Sequence, residues 1–308
     1  MRIEKVVVGM DFSAPAVAGA RWLAKHVAPA AELVLVHAID VPTPPPFVRD
    51  ALPPAADIET AARDFAETRL RELASSLPAA TVRIEIRVGR PHDVLAAVAE
   101  EVGADLVLVG PHGERPRPWK LLGTSAERLV RTSPVPVLVA IDARDAAPRR
   151  LLAPVDDADI TLHVLDWARR VAESFDGEVT VLHVLDGGEH SHVSVMAQLL
   201  TRDYGSASKR VEDAAREAGV RWLETLTATG LGRDRVNAAV TFGKAGDAIL
   251  AMAQDMESDL IVIGRRGSGQ VMPAMLGSTV GTVLHGSACP VLVVTEPRDS
   301  IVDEKESS

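Results

Sequence analysis

Gly110, Gly113, Gly123, Thr124 and Ser125 form a cluster whose residue types suit one task, the holding of an anion. Gly264, Gly267, Gly277, Ser278 and Thr279 repeat it. Each copy reads G-x2-G-x9-G followed by two hydroxyl residues. Glycine lets a backbone turn tightly and approach a ligand without a Cβ. A helix opening at Gly123 or Gly277 would present free N–H groups and the positive end of its dipole, which suits phosphate. The hydroxyls add donors. No GxxxxGK[ST] phosphate loop is present. The GxGxxG dinucleotide fingerprint is absent too, since the first turn reads Gly9-Met-Asp-Phe-Ser.

The elements that must position these clusters occur twice as well. Each cluster follows an apolar run opened by an acid, Asp105-Leu-Val-Leu-Val and Asp259-Leu-Ile-Val-Ile. Each precedes a Pro-Val-Leu-Val run. Matching residues lie 154 positions apart, Gly110 with Gly264 and Pro136 with Pro290 among them. Near the start of each copy the spacing is 145, which pairs Asp11 with Asp156 and Trp22 with Trp167. The extra residues of the second copy therefore fall between its second and third strands.

In the first copy, strands are expected at 5–10, 33–39, 82–88, 106–109 and 135–140. Helices are expected from Pro15 to about Pro29, and over 57–77, 94–102 and 124–132. Strands that alternate with helices predict a parallel sheet covered on both faces. The fold class is therefore α/β, with two tandem doubly wound domains at residues 1–146 and 147–308. The polar stretch 141–150 is the expected linker.

A chain of 308 residues accommodates two cores, and 47% apolar residues with only 3% aromatic ones imply Ala, Val, Leu and Ile interiors. The net charge of −10, without a basic field in either half, argues against nucleic-acid binding. One cysteine, Cys289, excludes an intrachain disulfide and reads as a core thiol. Met1–Lys5 runs directly into a strand, and no apolar run reaches transmembrane length. The expectation is a soluble cytoplasmic protein with no membrane partner. Trp22 and Trp167 read as core residues.

With the acid after the first strand, the G-x2-G-x9-G-[ST] spacing and the closing Pro-Val-Leu-Val strand, the chain resembles a tandem universal stress protein from Lys5 to Thr295. The resemblance implies five-stranded parallel sheets of order 3-2-1-4-5, with Asp11 and Gly110 meeting at the switch point. It implies ATP as ligand. Asp11 and Asp156 would lie near the ribose and adenine, and Ala38 and Val184 would offer backbone to the adenine edge. Gly110, Gly113, Gly123, Thr124 and Ser125 would hold one set of phosphates, with Mg2+ as a plausible companion ion. Gly264, Gly267, Gly277, Ser278 and Thr279 would hold the other. His112 matches a residue common in the family. Single-domain relatives pair through the last strand, so an intrachain pseudo-dimer is expected and a homodimer is compatible.

The two clusters differ inside the shared spacing. Arg265 and Arg266 would offset phosphate charge, whereas Glu114 would repel it, and Pro116 and Pro118 lack N–H groups. The second copy is therefore expected to be the better ATP site. The prolines 42–46 are expected to form a stiff loop beside the first pocket. Glu189, His190 and His192, with His183 before them, have the types of zinc ligands, but their spacing matches no strong pattern; His183 reads as a strand residue like His37, and a solvated loop is expected at 189–192. The acidic stretch Asp303–Glu306 reads as a solvated end.

Three functions remain open. The first is an ATP-binding regulator of a stress response with little or no catalysis. The second is a weak ATPase or adenylating enzyme, although no SGGxDS loop follows the first strand. The third is a scaffold for a lipid or another metabolite.

Overall fold

The computed structural model describes residues 3–40, 47, 53–79, 81–113, 122–185, 206–228, 235–265 and 276–296. These fall into two compact units that divide between Ala146 and Ala147.

In the first unit, β1 (Lys5–Gly9), β2 (Glu32–Ile39), β3 (Thr81–Val88), β4 (Leu106–Val109) and β5 (Val137–Val139) form a parallel sheet of order β3-β2-β1-β4-β5. Val6 lies opposite Leu33 on one side and Leu106 on the other. The central strands carry apolar residues on both faces, as a sheet covered on both sides requires. Val6, Val7, Val8, Leu33, Val107 and Leu108 are all fully buried.

The connections are α1 (Ala14–Trp22), α2 (Ala55–Ser76), α3 (Pro91–Val102) and α4 (Thr124–Thr132). Ser13 caps α1, its Oγ accepting the Ala16 N–H at 3.4 Å, and Pro15 occupies the first turn, where no N–H is needed. Small residues bring α1 close to the sheet: a Cβ on Gly19 would stand 2.4 Å from that of Ala140. The helix expected to run to Pro29 instead changes to a π turn over Leu23–Val27. Trp22 is buried there as a core residue, and its Nε1 donates to the Ala146 carbonyl at 2.9 Å. Helix α3 begins three residues before the expected 94, because Pro91 can open a helix; Gly103, at φ 62°, closes it.

The second unit repeats this order. Its strands β6 (Arg150–Pro154), β7 (Glu178–Leu185), β8 (Val236–Phe242), β9 (Leu260–Gly264) and β10 (Val291–Val294) lie as β8-β7-β6-β9-β10. Its helices are α5 (Thr161–Phe175), α6 (Ser206–Ala228), α7 (Ala245–Asp255) and α8 (Ser278–Gly286). Trp167 and Cys289 are buried. Gly89 and Gly243, equivalent in sequence, both take positive φ, 148° and 137°. Among the described residues no helix is long and apolar enough to cross a membrane.

Candidate functional site

At the carboxyl ends of β1 and β4, where the strand order of an open α/β sheet reverses, the first unit contains a cavity of about 420 Å³. All eight residues expected from the first copy line it. Asp11 follows β1 and Ala38 lies on β2. Gly110, His112 and Gly113 follow β4, while Gly123, Thr124 and Ser125 open α4. The second unit holds a cavity of about 290 Å³ in the equivalent place. Asp156, Val184, Gly264, Arg265, Gly277, Ser278 and Thr279 line that one.

The expected residues Arg266 and Gly267 lie outside the described residues, as do Glu114, Pro116 and Pro118. The proline stretch 42–46, the candidates Glu189, His190 and His192, and the end 303–306 also lie outside them. Among the described residues, no three His, Cys, Asp or Glu side chains gather as a metal site.

The N-termini of α4 and α8 are built alike. Gly123 and Gly277 occupy the N-cap positions, and neither helix has a side-chain cap hydrogen bond. The first intrahelical bonds are Glu127 N–H to Gly123 at 2.9 Å and Gly281 N–H to Gly277 at 2.9 Å. The N–H groups of Thr124, Ser125 and Ala126 therefore have no intrahelical acceptor, nor do those of Ser278, Thr279 and Val280. A fixed fan of donors at the positive helix end faces each cavity, which is the arrangement that holds a phosphate. The Gly123 N–H donates to the Pro111 carbonyl at 2.6 Å, which ties the turn after β4 to the start of α4.

The glycines do not share one structural role. Among the described glycines only Gly89, Gly103 and Gly243 take positive φ, so tight left-handed turning is not the reason for the rest. Gly110 borders the cavity, but a Cβ there would lie 3.2 Å from the Ala16 nitrogen and Cβ. Its smallness lets α1 approach β4. At Gly113 a Cβ would lie 3.3 Å from Asp11 Oδ2, so this glycine keeps the carboxylate's surroundings open. Gly123 sits at φ −66° and ψ 144°, which any residue can adopt.

Asp11 stands in a turn that its own side chain organises, with Oδ1 accepting the Ser13 N–H at 3.0 Å. Ser13, not Asp11, is the helix cap. In the second unit Thr161 Oγ1 donates to the Asp156 carbonyl at 2.6 Å, and α5 begins five residues after the acid.

Some of the cavity wall escapes a reading of motifs. Pro91 and Leu95 of α3 line the first cavity, and Ala245 and Ile249 of α7 line the second. These pairs share the 154-residue spacing of the glycines, so the signal was present in the repeat. His37 also lines the first cavity. Its Nδ1 lies 2.7 Å from the Met10 carbonyl, as that of His183 lies 3.0 Å from the Val155 carbonyl. A carbonyl accepts only, so Nδ1 of each ring carries the hydrogen.

The family model for universal stress proteins matches residues 2–140 and again 148–295. Universal stress protein MJ0531 of Methanocaldococcus jannaschii is 26% identical over 156 residues, covering 49% of this chain and 84% of that protein. Universal stress protein Mb2346c of Mycobacterium bovis is 26% identical over 202 residues, covering 65% of this chain and 67% of its own. A crystal structure of a universal stress protein from Archaeoglobus fulgidus aligns over 97% of this chain and 98% of its own, with a TM-score of 0.66 at 22% identity. That likeness concerns the fold. With both halves matched by one family model and both folded in the same strand order, the chain belongs to the universal stress protein family and carries two copies of its domain in tandem.

Proposed function

We propose that the protein binds ATP at the carboxyl ends of both sheets and acts as a nucleotide-dependent regulator in a stress response. One observation carries this reading. Residues from separate stretches of chain converge on a single cavity that combines an acid, Asp11, with the uncapped N-terminus of α4. The acid suits a ligand's hydroxyl or amino groups, and the helix terminus suits its phosphates. A cavity of about 420 Å³ falls within the usual size range of small-molecule sites, about 300–1,000 Å³. The reading assigns binding rather than turnover. Mg2+ would reach the site with the phosphates rather than through a protein ligand cluster.

The test is calorimetry on the purified full chain, together with analysis of nucleotide released by denaturation. ATP uptake approaching two equivalents is expected. Protein that carries no nucleotide and shows no heat at millimolar ATP would remove the proposal.

A further inference from the structure

Phe12 has φ 64°, a left-handed conformation that is an outlier for a bulky aromatic residue. Backbone strain of this kind persists only where the surroundings impose it. Here the ring is seated on three sides. Its centroid lies 4.8 Å from that of His37 and 5.9 Å, edge-on, from that of Phe65. The Arg69 guanidinium stands 5.7 Å over it. His37 is itself held to the Met10 carbonyl, two residues before Phe12. The left-handed step at Phe12 turns the chain so that the Ser13 N–H meets Asp11 Oδ1 and the Ser13 hydroxyl meets the start of α1. One carboxylate oxygen is thereby fixed, and the other lies along the Gly113 wall of the cavity.

The second unit lacks this device. Asp157 occupies the place of Phe12 and Ala158 that of Ser13. Asp157 is not among the residues with positive φ. His183 keeps its carbonyl contact but meets Trp222 instead, at 5.0 Å between ring centroids.

We propose that Phe12 is a positioning residue that fixes the Asp11 carboxylate for a ligand in the first pocket. This rests on the ATP reading above. A carboxylate already held in place loses less freedom when a ligand arrives, so binding is stronger for the same contacts.

The experiment measures ATP binding calorimetrically in the full chain carrying Gly277→Asp to disable the second pocket. Into it are placed Phe12→Ala, Phe12→Gly, Asp11→Asn and the Phe12→Ala/Asp11→Asn pair. Phe12→Ala is expected to weaken ATP about tenfold, and the pair to bind no worse than Asp11→Asn alone, the signature of one residue acting through the other. Phe12→Gly tolerates the left-handed backbone without the ring, so its loss reports the ring's seat even if Phe12→Ala misfolds. Unchanged binding in Phe12→Gly, or losses that multiply in the pair, overturn the proposal and leave the ATP reading standing. A wild-type chain that takes up no ATP overturns both.

Discussion

Asp105 Oδ2 accepts the Glu4 backbone N–H at 2.8 Å, and the neighbouring Lys5 N–H at 3.0 Å. Asp259 does the same for Arg149 and Arg150, at 3.1 and 2.9 Å. The acid that opens each fourth strand is thus a clamp on the start of each first strand, at the end of the sheet away from the cavity. Asp105→Ala is expected to cost about 1–3 kcal/mol of stability, since two donors lose their acceptor. Asp105→Asn, which keeps a carbonyl oxygen, should cost less. Denaturant melts check the stability and ATP titration checks the site, which should be unaffected. A variant that loses ATP without losing stability would place the acid in the wrong role.

Gly110 and Gly113 should separate under the same substitution. Gly110→Ala drives a Cβ against the backbone of Ala16, which cannot move aside as a flexible side chain can. A loss of about 1–3 kcal/mol is expected from this overpacking. Gly113→Ala meets only Asp11 Oδ2, at 3.3 Å. Its effect should fall on ATP affinity, with the melting temperature little changed. Equal destabilisation by the two variants would contradict the assignment.

What could be read from the chain, and what could not, follows from how local each cause is. The N-termini of α4 and α8 were legible because a glycine followed by hydroxyls marks a helix start within a few residues. The 154-residue spacing then carried Gly123 to Gly277. The strand order and the meeting of Asp11 with Gly110 came from resemblance to a family, not from local pattern. Gly110's close neighbour is Ala16, far away in sequence, so its packing role had no local signal. Phe12 was illegible for another reason: left-handed positions favour Gly or Asn, and a Phe there is imposed by His37, Phe65 and Arg69. The π turn at Leu23–Val27 keeps a helix-like apolar pattern, so the end of α1 was expected too late.

Asp166 on α5 gives the second unit an acid-sensitive component. Burial raises its carboxyl, but hydrogen bonds from Arg169, at 2.8 Å, and from Arg170 outweigh that and hold it below the ordinary aspartate range. In the unfolded chain an aspartate takes its proton near about pH 3.9. Between that value and the lower folded one, the unfolded state binds more protons, so stability falls as pH falls. The contribution is complete above about pH 4 and is lost on acidification through the folded value. Asp166→Asn should therefore melt earlier than wild type near neutrality, with the gap closing below pH 4, about the unfolded value. A gap that stays constant from neutral to acid pH would exclude a charged Asp166 as its source.

Gly123 and Gly277 allow a test in which stability and binding move in opposite directions. Both sit at N-caps in extended backbone that other residues adopt, and a Cβ on Gly123 would be 3.4 Å from its nearest neighbours, an ordinary contact. Aspartate is a better N-cap than glycine, and its charge complements the helix dipole. Gly123→Asp should thus stabilise the fold by about 0.5 kcal/mol by occupying the N–H groups of α4. The same carboxylate takes the donors that phosphate needs and repels its charge, so ATP binding at the first pocket should disappear. Gly277→Asp should do so at the second. Calorimetric stoichiometry is expected to fall by one equivalent with each variant and to vanish with both. A doubly substituted chain that is folded, no less stable than wild type, and still binds two equivalents of ATP would show that the phosphates lie elsewhere.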